Sequence, residues 1–203
     1  MHIALFGATG GTGRQVLAQA LEQGHSVTAL ARDPTKLTPR DGLTTIGGDV
    51  LDATAVVQCI QGADAVICAL GSHGQQTPIE ARGTECILTA MHETGVRRLV
   101  VVSSLGVGDS RAQIPWGFRL VMDLLLKRIL EAKAEQERLV MASGLDWIIV
   151  RPGGLTDGPR TSAYRFGVDP TLKSGRIARA DVADFMLRQL TDDTFLRQIP
   201  AVT

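Results

Sequence analysis

The chain has 203 residues, about one large domain, and its 21 Lys and Arg balance its 21 Asp and Glu to a formal net charge of zero. That balance argues against a nucleic-acid backbone binder, which carries a cationic surplus on one face. Hydrophobic residues at 44% suffice for a sizeable core and exclude wholesale disorder.

In chain order, the apolar run 2–6 predicts a first strand, followed at once by seven residues with four glycines and then a helical pattern over 12–23. A strand at 26–30, a strand at 43–46 and a helix at 52–60 come next. Then follow a strand at 65–70, a helix at 78–94, a strand at 99–102, a helix at 119–142, a strand at 147–150 and a helix at 181–190. Most strand candidates are continuous β-branched or apolar runs, as expected of strands buried on both faces of a parallel sheet. The β-α alternation predicts a doubly wound Rossmann-type α/β sheet. No linker, charge block or repeat divides the chain, so residues 1–203 are expected to form a single domain, with substrate-side loops at 106–118 and 153–176.

The three cysteines (Cys59, Cys68, Cys86) show no C-x-x-C or zinc spacing, and Cys59 and Cys68 read as small core residues. The N-terminus has no signal-peptide pattern and no apolar run reaches the ~18 residues of a membrane span, so a cytoplasmic protein without a membrane segment is expected. The four histidines (His2, His25, His73, His92) are scattered without ligand spacing, and no metal site is expected.

The strongest motif is Gly7-Ala8-Thr9-Gly10-Gly11-Thr12-Gly13, a G-x-x-G-x-x-G skeleton between the first strand and first helix. Gly7 would make the tight turn, Gly10 would let the backbone approach a pyrophosphate, and Gly13 would let the helix pack on the sheet. The helix N-terminus offers free N–H groups to the phosphates, and Thr9 and Thr12 add hydroxyls.

At the end of the second strand, Arg32 and Lys36 suit the 2′-phosphate of NADP(H). Asp33 keeps the NAD(H) alternative open, though before Pro34 it also suits a helix cap. Asp49 and Val50 follow the third strand, where Asp49 either accepts from adenine or caps the helix at 52. Ala69, Leu70 and Gly71 end the fourth strand, where a small backbone can pass the nicotinamide-side ribose. Ser103 and Ser104 end the fifth beside the expected nicotinamide, with ordinary loop capping as the alternative.

Together these residues resemble the atypical short-chain dehydrogenase/reductases of the NAD(P)H-binding, NmrA-like group. The carriers are the glycine loop, L-A-R-D at 30–33, G-D-V at 48–50, V-V-S-S at 101–104, the block S-G-L-D-W-I-I-V-R-P-G at 143–153 and R-A-D-V-A-D-F at 179–185. Within that group the compact length and residues 155–162 look most like the biliverdin reductase B/flavin reductase branch. The resemblance implies NADP(H) contacts from Gly7, Thr9, Gly10, Thr12, Gly13, Arg32, Lys36, Asp49, Val50, Leu70 and Gly71, with Pro152 and Gly153 closing over the nicotinamide.

The wider superfamily commonly uses a Tyr-x-x-x-Lys pair, in which a lysine-assisted phenol exchanges a proton with a substrate oxygen. Here the matching lysine is Lys133, Ile129 stands four residues earlier, and the only tyrosine in the sequence is Tyr164. The expectation is therefore a reductase for a conjugated planar acceptor (a flavin, a biliverdin-like tetrapyrrole or a quinone) that needs alignment more than a strong acid. Ser104 would orient the acceptor and Lys133 would hold the nicotinamide ribose, unless Lys133 is a solvated charge among Glu131, Glu135 and Glu137. Trp116, Phe118 and Tyr164 would wall the acceptor; core packing or a dimer contact is the alternative for the first two. The chain is expected to act on a small molecule as a monomer or weak homodimer. The competing reading is a non-catalytic NADP(H)-binding sensor or assembly factor working through a protein partner.

Overall fold

The computed structural model describes residues 1–72, 78–114 and 126–203. Strand β1 (His2–Phe6) is central, flanked by β2 (Ser26–Ala31) and β4 (Ala65–Cys68), with Phe6 in register with Leu30 on one side and Cys68 on the other. Outside these lie β3 (Leu43–Gly47), β5 (Arg98–Val102) and β6 (Asp146–Pro152), so six parallel strands run in the order β3-β2-β1-β4-β5-β6. The chain doubles back at β1 and β4, and such an order opens a crevice at the carboxyl ends of those strands.

Alternation along each strand sorts side chains to two faces. Ile3 and Leu5 join one core with Val16, Leu17 and Ala20 of α1 (Gly11–Glu22) and Val182, Phe185 and Met186 of α5 (Arg179–Arg188). Ala4 and Phe6 join the other, with Val56, Cys59 and Ile60 of α2 (Ala53–Ile60), Ile87 and Met91 of α3 (Glu80–Thr94) and Val140 of α4 (Lys127–Ala142). Cys59 and Cys68 are fully buried, and burial pushes the Cys59 thiol up to about 12, so both serve as small core residues.

Several boundaries depart from the periodic reading. The strand expected at 65–70 ends at Cys68, because the chain leaves the sheet where Ala69 passes beneath the glycine turn. The helix expected at 119–142 is described as α4 from Lys127; residues 115–125 lie outside the described residues. Four strands were not foreseen. β7 (Gly154–Thr156) pairs with β9 (Arg176–Ala178), and β10 (Ala201–Val202) inserts between β6 and β8 (Phe166–Gly167) to make an eight-stranded sheet. Runs of two or three residues carry no readable period. Among the described residues no helix is long and apolar enough to cross a membrane.

Candidate functional site

The glycine turn brings three backbones together. Gly7 adopts φ +87°, and a Cβ there would sit 2.4 Å from the Ala69 carbonyl oxygen; a Cβ on Gly13 would sit 2.0 Å from the Gly7 oxygen. Only hydrogen fits at both positions, so the end of β1, the end of β4 and the start of α1 lie in direct contact. Gly10 is the N-cap of α1 without a side-chain cap, and the first turn carries no acidic residue. The N–H groups and positive end of α1 are thus available to a phosphate, and the cradle fits a dinucleotide's pyrophosphate. Thr9 lies at this turn, partly buried, and Thr12 is buried in the first turn of α1.

At the end of β2, Arg32 and Lys36 are both exposed. Asp33 accepts from the Thr35 amide at 3.1 Å and the Thr35 hydroxyl at 2.6 Å, capping the 3₁₀ turn Pro34–Lys36, and lies 3.8 Å from Lys36. The Thr35 hydroxyl bond holds the Asp33 carboxyl below its ordinary value. The capping role is therefore the one the geometry displays. Asp49 turns the backbone by accepting from the Leu51 amide at 2.9 Å. The reading of Asp49 as the cap of the next helix is corrected, because Asp52 caps α2 by accepting from the amides of Thr54 and Ala55. Val50 and Leu70 sit side by side because α3 passes them at Gly83, where a Cβ would meet Leu70 at 2.8 Å and Val50 at 2.9 Å. Gly71 is exposed beside them.

At the ends of β5 and β6 lies a buried polar network that sequence reading largely missed. Ser103 donates to Glu137 at 2.5 Å, and Glu137 is clasped by Arg151 through bonds of 2.9 and 2.6 Å. Arg151 also reaches Asp109 at 2.6 Å, pinning the loop after β5. Lys133 donates to the Val102 carbonyl at 3.3 Å and is only partly exposed. Burial holds its ammonium below the ordinary lysine value, against the opposing charges of Glu80 and Glu137. The solvated-charge alternative is thereby corrected: Glu131, Glu135 and Glu137 pair with Lys127, Arg138 and Arg151, and Lys133 points inward. Glu80, fully buried, accepts from the Ser72 amide at 3.0 Å and from the Ser72 hydroxyl. In sequence, Glu80 and Glu137 look like any helical glutamate, and only the fold shows that they face inward.

Ser104 is partly exposed, its hydroxyl donating to the neighbouring Leu105 carbonyl at 3.0 Å. Pro152 accepts from the Leu105 amide at 2.9 Å, and a Cβ on Gly153 would sit 2.4 Å from the Gly175 oxygen, so this corner too is assembled backbone to backbone. Trp116 and Phe118 lie outside the described residues. Tyr164, expected in the acceptor wall, donates its hydroxyl to Asp184 at 2.6 Å, and its ring packs with Phe166 of β8 and Phe185 of α5 in an aromatic cluster. Burial, with Asp184 beside it, raises the phenol well above its usual value.

A cavity of ≈ 490 Å³ opens between the loop after β5 and the start of α4, lined by Gly106, Val107, Arg111, Lys127, Leu130 and Ala134 among others. A larger one, ≈ 630 Å³, lies at the opposite, amino-terminal edge of the sheet among Asp64, Arg97 and Asp146, remote from the glycine turn. The smaller lies on the carboxyl side of the sheet, where folds of this kind hold their ligands. Among the described residues no group of His, Cys, Asp or Glu could hold a metal.

The family model described as NAD(P)H-binding matches residues 7–193. The chain belongs to the NAD(P)H-binding family. It is 29% identical to a reductase of Aspergillus terreus, pytE, over 93% of this chain and 90% of that one. A chloroplastic protein of Arabidopsis thaliana, described as uncharacterized, is 33% identical over 92% of this chain and 71% of its own length. Among solved structures, ChuY, an anaerobillin reductase from Escherichia coli, superposes with a TM-score of 0.86 at 25% identity, covering 100% of this chain and 96% of that one. A short-chain dehydrogenase/reductase from Veillonella parvula in complex with NADP superposes with a TM-score of 0.85 at 20% identity, covering 99% and 93%.

Proposed function

We propose that this NAD(P)H-binding chain is an NADPH-dependent reductase that passes hydride to a conjugated planar acceptor, a flavin, biliverdin-like tetrapyrrole or quinone. The observation that carries the reading is a lysine without its phenol: Lys133 stands beneath the end of β5, Ile129 precedes it by one helical turn, and the single tyrosine is bonded to Asp184. Among the described residues this arrangement places no phenol one helical turn before the lysine to serve a ketone oxygen. Acceptors whose reduced anion is delocalised need none, because solvent supplies the proton after hydride arrives.

The reduced nicotinamide supplies the hydride when bound. The glycine turn and the start of α1 grip the pyrophosphate, and Arg32 and Lys36 take the 2′-phosphate. Lys133 holds the nicotinamide-side ribose, Ser104 orients the acceptor, and the wall at Pro152 and Gly153 excludes water from one side. The reductase and anaerobillin reductase among the relatives, and the NADP-bound neighbour, support this choice of cofactor and acceptor class.

The deciding experiment mixes the purified protein with NADPH or NADH and, in turn, FMN, FAD, riboflavin, biliverdin and quinones, following nicotinamide oxidation. Saturable turnover with at least one acceptor, faster with NADPH, is expected. Tight NADPH binding with no oxidation across the panel would overturn the reductase and leave a nucleotide-occupied sensor.

A further inference from the structure

Two helices begin side by side at the carboxyl edge of the sheet. α1 starts at Gly11 and α5 at Arg179, and a Cβ on Gly11 would lie 2.7 Å from both Cδ and Nε of Arg179. The arm of Arg179 therefore lies directly over the glycine turn. Its place is fixed: α1 packs on α5, and buried Gln19 of α1 donates to the Ala180 carbonyl at 2.8 Å.

This is an awkward place for a cation. The first turn of a helix is its positive end, and here a guanidinium arm lies against that of α1. Asp181, two residues on, is occupied elsewhere, accepting from the Thr161 and Ser162 amides at 2.7 and 2.8 Å. The carboxylate that answers Arg179 is Asp157, at 2.6 Å, on a side chain 88% exposed in the segment after β7. Gly11 adds a second observation. The G-x-x-G-x-x-G skeleton does not require a glycine there, but any side chain at 11 would evict Arg179 from the turn.

We propose that Arg179 is a binding residue for the cofactor's pyrophosphate, and that Asp157 is its internal stand-in, a carboxylate that the pyrophosphate displaces. The inference rests on the dinucleotide reading of the glycine turn and is independent of which acceptor is reduced. A guanidinium presents a planar fork of donors suited to phosphate oxygens, and the diphosphate brings two negative charges to a spot where one carboxylate now sits. Arg179 serves a group common to NADPH and NADH, unlike Arg32 at the 2′-phosphate.

Titration calorimetry of NADPH, NADH and ADP-ribose against the wild type, Arg179→Ala, Arg179→Lys and Asp157→Asn tests this without turnover. Arg179→Ala is expected to weaken all three ligands by the same factor, about tenfold or more. Arg179→Lys should restore part of the loss, and Asp157→Asn should tighten all three severalfold, with a smaller gain in high salt. Unchanged affinities in Arg179→Ala would overturn the assignment, and a loss confined to NADPH would move Arg179 to the 2′-phosphate. Weaker binding in Asp157→Asn would show that the carboxylate aims the arginine instead of standing in for the ligand. Should Arg179→Ala fold poorly, Arg179→Lys and the exposed Asp157→Asn still decide. A wild type that binds none of the three would remove the dinucleotide reading itself.

Discussion

Arg32 and Lys36 stand exposed at the end of β2, while the nearby carboxylate, Asp33, is engaged by Thr35. A phosphate meeting two cations there gains charge-assisted bonds that a bare ribose hydroxyl does not. Arg32→Ala should therefore weaken NADPH by roughly 1.5–3 kcal/mol and leave NADH almost unchanged, as read by fluorescence titration of the two cofactors. Equal losses would show that Arg32 serves something other than the 2′-phosphate. At this scale the sequence was legible where chemistry and backbone coincide. Gly7 and Gly13 have no substitute, because backbone oxygens occupy the space a Cβ would need. It was opaque for Glu80, Glu137 and Arg179, whose partners lie at distances along the chain that no local spacing encodes. The hydroxyl partner of Tyr164 was hidden for the same reason: Asp184 lies 20 residues away on α5.

The corner where α4, β5 and β6 meet is held by the pair Glu137–Arg151, both side chains almost wholly buried. Removing one partner of such a pair strands the other's charge in the interior, whereas replacing both with apolar groups relieves both desolvation penalties. Glu137→Met should thus lower stability by about 3–5 kcal/mol, toward the lower end because Asp109 still answers Arg151. Adding Arg151→Met should recover much of that loss, the urea midpoints of the two single variants and the double variant providing the measurement. Helices were legible because burial on one face imposes a period over many residues, and the long strands because burial on both faces makes continuous apolar runs. The small strands β7 to β10 were not, since their pairing is decided by where the chain after β6 returns, a tertiary fact.

Across the whole molecule, carboxylates at opposite edges of the sheet share one behaviour. The Arg151 bond holds Asp109 below its ordinary value, and the Arg97 bond does the same for Asp146. A depressed carboxyl stabilises the folded chain at pH above its unfolded value of about 4, and that contribution disappears as pH falls through the lowered folded value. The urea midpoint should consequently be flat near neutrality and fall below about pH 4, and Asp109→Asn with Asp146→Asn should lower the plateau and shallow the acid limb. Asp109 is largely exposed to solvent and Asp146 partly so, so added salt should shrink the difference. The doubly wound parallel sheet was legible at this scale, because parallel crossovers and a glycine turn after the first strand leave few alternatives.

The two faces of the sheet also carry different chromophores. The Trp147 indole is buried with α2, α3 and α4, while the lone phenol, Tyr164, packs on the opposite side against α5. With Trp116 replaced by Phe, indole emission excited at its red edge, where phenol does not absorb, reports the α2, α3 and α4 side alone, so a melt read by it against far-ultraviolet ellipticity follows that layer separately from the backbone as a whole.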